Sequence, residues 1–255
     1  MPANSIAPGT FTPAPRRASP WKMALAQGRI ESKLMLQHGE QILLNIIIPV
    51  VVLIAAANLP LLGDATVNDI VPMVFAMAAT SAGFTGQAIS LAFDRRYGAL
   101  KRTGASGVPR WTIIAGKIIG VLTMTAVQLI IISTVAIIVG WRVTLLGAIM
   151  GAIALFIGVI CFTSLGLLMG GSLRSELVLG LANLIWMILI GIVGFVVYIG
   201  AIANPGLWVL VPTVALTTVI DAAFRGGIHL VGWLVLLAWA LVGTLAAVKW
   251  FRFDG

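Results

Sequence analysis

Charge is scarce in this 255-residue sequence. Asp, Glu, Lys and Arg together make up 9% of it, against about 25% in soluble domains. A water-soluble globular fold is therefore excluded. Cysteine is nearly absent. Cys161 stands alone inside an apolar run, so no intrachain disulfide is available, and it reads as a small packing residue. The two histidines, His38 and His229, fall on opposite sides of the predicted topology and offer no metal site. No paired acids and no Ser/His/Asp set lie within the apolar runs, which removes the material for an intramembrane enzyme. No phosphate-binding loop is present either. Gly116-Lys117 comes closest, but Trp111 stands where the first glycine belongs and Ile118 where Ser or Thr belongs. The first twenty residues lack the apolar core of a cleavable signal peptide.

What is abundant is apolar surface. The chain is 60% hydrophobic, with a mean hydropathy of +1.09. Several runs exceed the roughly 18 to 20 apolar residues that a membrane-spanning helix needs. They are continuous rather than alternating, and a span must satisfy its own backbone hydrogen bonds, so they predict helices rather than a barrel. The expected fold class is an all-α integral membrane protein. Residues 1–20, broken by Pro2, Pro8, Pro13 and Pro15, read as a disordered cytoplasmic tail. Residues 21–252 form the membrane domain, with spans at about 41–62, 70–93, 111–139, 144–169, 177–200 and 228–248. Trp21 to His38 predicts an amphipathic helix lying in the interface, with Lys22, Arg29 and Lys33 near one stripe. Leu207 to Ile220 is apolar but too short to span and is divided by Pro212, so it predicts a re-entrant element.

The basic residues fix the orientation. The tail, the first helix, the loop after the second span and the chain end carry most of them. Only Arg142 and Arg225 fall on the other side. The positive-inside rule then puts both termini in the cytoplasm. The charge follows the ends of spans and forms no soluble basic face, so nucleic acid is not an expected partner.

Within the spans, ionisable groups are almost missing. Lys117, near the cytoplasmic end of the third, is expected to snorkel to the interface, and no partner for it is evident. Glu40 reads as an interfacial or capping residue. Without intramembrane charge pairs, an ion-coupled carrier is disfavoured. Asn45, Gln87, Gln128 and Asn183 are the remaining polar candidates, either lining a substrate path or bonding between helices. Ala76 to Gly86 is dense in small residues and should pack closely on another helix. Gly116/Gly120, Gly147/Gly151 and Gly166/Gly170 follow the small-xxx-small pattern, which serves internal packing or a dimer equally.

The loop from Asp94 to Arg110 is unlike its surroundings, holding five Arg or Lys residues and one acid. Asp94-Arg95-Arg96-Tyr97-Gly98-Ala99-Leu100-Lys101-Arg102, then Val108-Pro109-Arg110-Trp111 and Ala115-Gly116-Lys117, follow the second span. With the basic first helix and six spans, this run resembles the ABC-2 family of ABC transporter permeases over about residues 21–252. Asp94-Arg95 stands where the family usually has Glu-Arg, and Gly107-Val108-Pro109 where it often has Thr-Pro.

The resemblance implies a working unit of two permeases, identical or paralogous, with two ABC ATPase subunits in the plasma (inner) membrane. Trp21, Lys22, Arg29 and Lys33 would belong to the elbow helix. Asp94, Arg95, Arg96, Gly98, Leu100, Lys101, Arg102, Pro109 and Arg110 would form the coupling helix that docks in the ATPase. This chain would hold no cofactor, and Mg-ATP would sit on the partner. The function expected is ATP-driven export of an amphiphilic, lipid-like or drug substrate by alternating access. The alternatives are a secondary carrier or channel, or a non-transporting scaffold.

Overall fold

The computed structural model describes residues 18–37, 39–105 and 108–250, without the side chains of 39–44, 104 and 110. The predicted tail through Arg17, His38, the Glu40 and Arg110 side chains and Arg252 lie outside what is described. Among the described residues there are helices and turns but no strand.

α1 (Pro20–Gln37) starts at Pro20, whose missing N–H costs nothing at a helix start. Its Lys22, Arg29 and Lys33 are exposed, as are Trp21, Leu25, Ile30 and Leu34. A third face, with Ala24, Gly28 and Met35, is buried. That face lies along α6 (Arg110–Ile138). Gly116 and Gly120 of α6 leave room for Gln27 and Glu31, and Gly28 sits against Ile119. The Ser32 and Thr123 hydroxyls meet at 3.0 Å.

α2 (Gly39–Asn58) contains Pro49 and ends four residues before the predicted boundary. A 20-residue helix is about 30 Å long, the thickness of the hydrocarbon core. Five other helices are long and apolar enough to cross a membrane: Val67–Arg96, Trp111–Ile138, Leu145–Ser172, Ser175–Tyr198 and Leu230–Trp250. Of α2, the described apolar part is Asn45–Asn58, shorter than these five.

The first of the five is compound. α3 (Val67–Thr80) passes through a π-helical segment, Ser81–Thr85, into α4 (Gly86–Arg96). α3 begins with a capping box in which Asp69 accepts from the Thr66 backbone N–H. Every residue from Ile70 to Thr80 is buried. α7 (Leu145–Ser172) packs closely on the π segment and the start of α4. A side chain on Gly166 would run into the Phe84 and Gly83 carbonyls, and one on Gly170 into the Ala88 carbonyl. The predicted close packing of Ala76 to Gly86 is thus realised against α7. The other small pairs are also internal. Gly116/Gly120 receives α1, and Gly147/Gly151 receives Ala223 and the Phe224 ring.

α8 (Ser175–Tyr198) is largely exposed along its length. The predicted re-entrant element is a 3₁₀ turn, Gly206–Leu210, followed by α9 (Pro212–Phe224) with Pro212 in its first turn. Thirteen residues reach about 20 Å, too short to cross. α9 is nevertheless buried almost throughout, among α3, α7 and α10 (Leu230–Trp250). His229 accepts from the Gly232 backbone N–H at 3.0 Å and so caps α10.

Gly166→Val places a branched side chain on the Phe84 backbone, which cannot yield as a side chain can. The expected cost is about 3 kcal/mol, the upper end for overpacking, read as a lowered Tm in detergent. An unchanged Tm would show that α7 and the π segment do not pack as described.

Candidate functional site

The end of the second span that leads into the basic loop carries three charged residues in a row, and each is tied to a different neighbour. Asp94 accepts from the Lys117 ammonium of α6 at 2.9 Å. Lys117 also lies 3.4 Å from Glu31 of α1 and within 3.5 Å of the Ser90 hydroxyl. Arg95 is buried, and its guanidinium donates to the Gly170 and Leu173 carbonyls at 2.9 Å each. Those carbonyls lie at the C-terminal end of α7, where backbone acceptors lack helical partners and the helix dipole favours a cation. Arg96 reaches Glu176 in the first turn of α8 at 3.0 Å, with both side chains exposed.

Lys117 therefore does not snorkel. It is 2% exposed and held by two carboxylates, which corrects the expectation of an unpartnered interfacial lysine. The physical reason is α1. Laid directly on Gly116 and Gly120, it covers the ammonium and supplies Glu31. The Glu31 carboxylate is itself held by Gln27, whose Nε2 donates to it at 3.0 Å. A cavity of about 300 Å³ opens beside these groups, lined among others by Gln27, Ser90, Thr103 and Leu100.

Beyond Arg96 the chain turns. Gly98 has φ of +71°, a left-handed conformation that glycine adopts without strain. α5 (Ala99–Ala105) follows. Leu100 is buried with Leu91, Ile113, Ile114, Leu167 and Ala247, and Val108 packs against the same cluster. Pro109, in extended conformation, leads into α6 at Arg110. Lys101 and Arg102 project outward and are exposed, as is Tyr97. The basic loop thus divides into two sets. Arg95 and Arg96 are used inside the chain, whereas Lys101 and Arg102 face outward.

Three of the four polar candidates in the spans are buried. Gln128 Nε2 donates to the Asn45 backbone carbonyl at 2.9 Å, and Ser81 of the π segment reaches the Asn45 side chain at 3.5 Å. Gln87 lies just beyond the π segment and is buried. The Oε1 atoms of Gln87 and Gln128 have no hydrogen-bond partner among the described residues. Asn183 stands apart, exposed on α8 and donating to the Leu179 carbonyl one turn back. Among the described residues no group of three His, Cys, Asp or Glu is placed to hold a metal.

The opposite end of the molecule repeats the theme of one base and two acids. Arg225, just after α9, donates from Nε to both oxygens of Asp221 and from its terminal nitrogen to Asp69 at the start of α3. Burial pushes the Asp221 carboxyl up, and the bonded guanidinium works against that. A separate apolar groove of about 720 Å³ is lined by residues including Phe84, Phe162, Ile185, Leu189, Leu210 and Trp239.

An amphipathic helix packed on a bundle of long apolar helices, with a charged loop braced at one end and a short buried apolar helix before the last long one, is the build of an all-α membrane protein. The sequence model of the ABC-2 type transporter family matches residues 25–229, and the chain belongs to that family. No curated protein matches it.

Arg95→Ala should lower the Tm clearly, because it strips buried carbonyls of charge-assisted partners at a cost of about 2 kcal/mol or more. Arg96→Ala should leave the Tm near wild type, because its ion pair is open to water. Equal shifts for the two variants would contradict the contrast between the buried Arg95 bonds and the water-exposed Arg96 pair.

Proposed function

We propose that this chain is the membrane-spanning permease subunit of an ATP-driven exporter, working with separate ABC ATPase subunits and a second permease, identical or paralogous. The observation that carries this reading is the build of the loop from Asp94 to Arg110. Its base is bonded to α6, α7 and α8, while Lys101, Arg102 and Tyr97 face outward on a short helix and the turn before it. A topogenic signal needs only the charges. A lever needs a braced root and charges left available for a partner; the bonds of Asp94, Arg95 and Arg96 and the exposure of Lys101 and Arg102 support that reading.

In this reading α5 docks in the ATPase, with Lys101 and Arg102 offering charge-assisted contacts to it. Closure of the ATPases on Mg-ATP then pushes the root. The push biases the spans between inward- and outward-facing states, each favoured by its own contacts. The elbow helix α1 lies in the cytoplasmic interface, both termini are cytoplasmic, and the membrane is the plasma (inner) membrane. The wide apolar groove and the apolar bundle suit an amphiphilic, drug-like or lipid-like cargo better than a highly charged solute. Gln87 and Gln128, with free buried oxygens, and Asn45 are the groups proposed to meet it.

One observation favours a second reading. Buried ionisable clusters mark ion-coupled carriers, and Lys117 with Asp94 and Glu31 is such a cluster. Affinity purification of the C-terminally tagged chain from its native membrane, with mass spectrometry of what co-purifies, separates the two. A stoichiometric ATPase is expected, and a stable particle without one would favour the carrier. Lys101→Glu combined with Arg102→Glu is expected to abolish ATPase co-purification while membrane insertion, read by fractionation, is unchanged. Retention of the ATPase by that double variant would remove the loop from the docking surface.

A further inference from the structure

We infer that Glu31 and Asp94 are positioning residues for transport that share the Lys117 ammonium and exchange it when the coupling segment moves. This rests on the exporter reading above.

The geometry is asymmetric. Asp94 is hydrogen-bonded to the ammonium at 2.9 Å, whereas Glu31 stands off at 3.4 Å. The two carboxylates belong to parts with different freedom. Asp94 sits at the end of the helix that carries α5, so any displacement of α5 pulls on it. Glu31 belongs to α1, which is seated on α6 beside Lys117 through Gly116 and Gly120, and in this inference α1 keeps that seat while α5 moves. Gln27 holds the Glu31 carboxylate in place.

A buried ammonium that loses its only carboxylate is strongly penalised, because it has given up water and gained nothing. With Asp94 alone, the coupling segment would be locked to α6. Glu31 changes that. An ammonium has three donors, and as Asp94 withdraws, the bond to Glu31 can shorten, so the charge is compensated throughout. The cavity of about 300 Å³ beside the cluster gives Asp94 room to withdraw. The two acids therefore define two positions of the coupling segment relative to α6, with Glu31 making the second one accessible.

The test uses the complex as it co-purifies with its ATPase, in lipid nanodiscs. The Tm of wild type, Asp94→Asn and Glu31→Gln is measured without nucleotide and after trapping with ATP and orthovanadate. Without nucleotide, Asp94→Asn is expected to lower the Tm more than Glu31→Gln. In the trapped state the order is expected to reverse. ATP hydrolysis by the Glu31→Gln complex is expected to fall about tenfold, the size of one lost charge-assisted bond. The same order in both states, or wild-type hydrolysis by Glu31→Gln, would overturn the inference. If Asp94→Asn does not assemble, Glu31→Gln decides alone: its Tm penalty must grow on trapping, and a constant penalty means the residue is merely structural. Absence of an ATPase from the wild-type preparation would instead overturn the exporter reading, and this inference with it.

Discussion

A single buried ammonium sets the terms for the half of this molecule that carries the basic loop. Lys117 is 2% exposed among the helices around it. Its charge is tolerable only because Asp94 and Glu31 flank it. That requirement binds three otherwise separate parts: the interfacial helix α1, the long span α6 and the segment leading to α5. Displacing any one of them changes which carboxylate compensates the ammonium. Apolar packing gives no comparable constraint, since in lipid one helix face slides against another with little loss of hydrophobic contact.

The neighbouring arginines extend the restraint without duplicating it. Arg95 closes the end of α7 by bonding carbonyls that the helix leaves over, so it works as a cap supplied by another chain segment. Arg96 reaches α8 through water-exposed atoms and holds it weakly. Strength of attachment therefore falls from α6 and α7 to α8, which is also the helix with the least burial of its own. At the other membrane face, Arg225 between Asp221 and Asp69 joins the re-entrant helix to the start of the same compound span.

Much of the architecture was legible from hydropathy, because long apolar runs in a membrane have few alternatives to helix. The third, fourth and fifth spans fall within a few residues of α6, α7 and α8. Length and Pro212 were enough to separate α9 from a true span. Partnerships were not legible. Lys117 is 23 positions from Asp94 and 86 from Glu31, and periodicity along one helix does not say which other helix covers it. Glu31 escaped notice because the basic stripe of α1 dominated the reading, although Ala24, Gly28 and Met35 mark the buried face beside it. Nor could spacing tell Arg95, folded inward, from Lys101, turned outward. The polar span residues looked alike in sequence, yet Asn183 faces away and Asn45 and Gln128 meet.

The π segment at Ser81–Thr85 governs helical phase. Asp69 and Asp94 are 25 positions apart on one continuous span. In a straight α-helix, that interval returns a side chain to within about 20° of its starting azimuth. Both acids would then point toward the same side of the span, one at each end of it. A π turn absorbs one surplus residue, retarding everything below it by about 100°. The two acids consequently address different sides of the span, one toward α9 and the other toward α6.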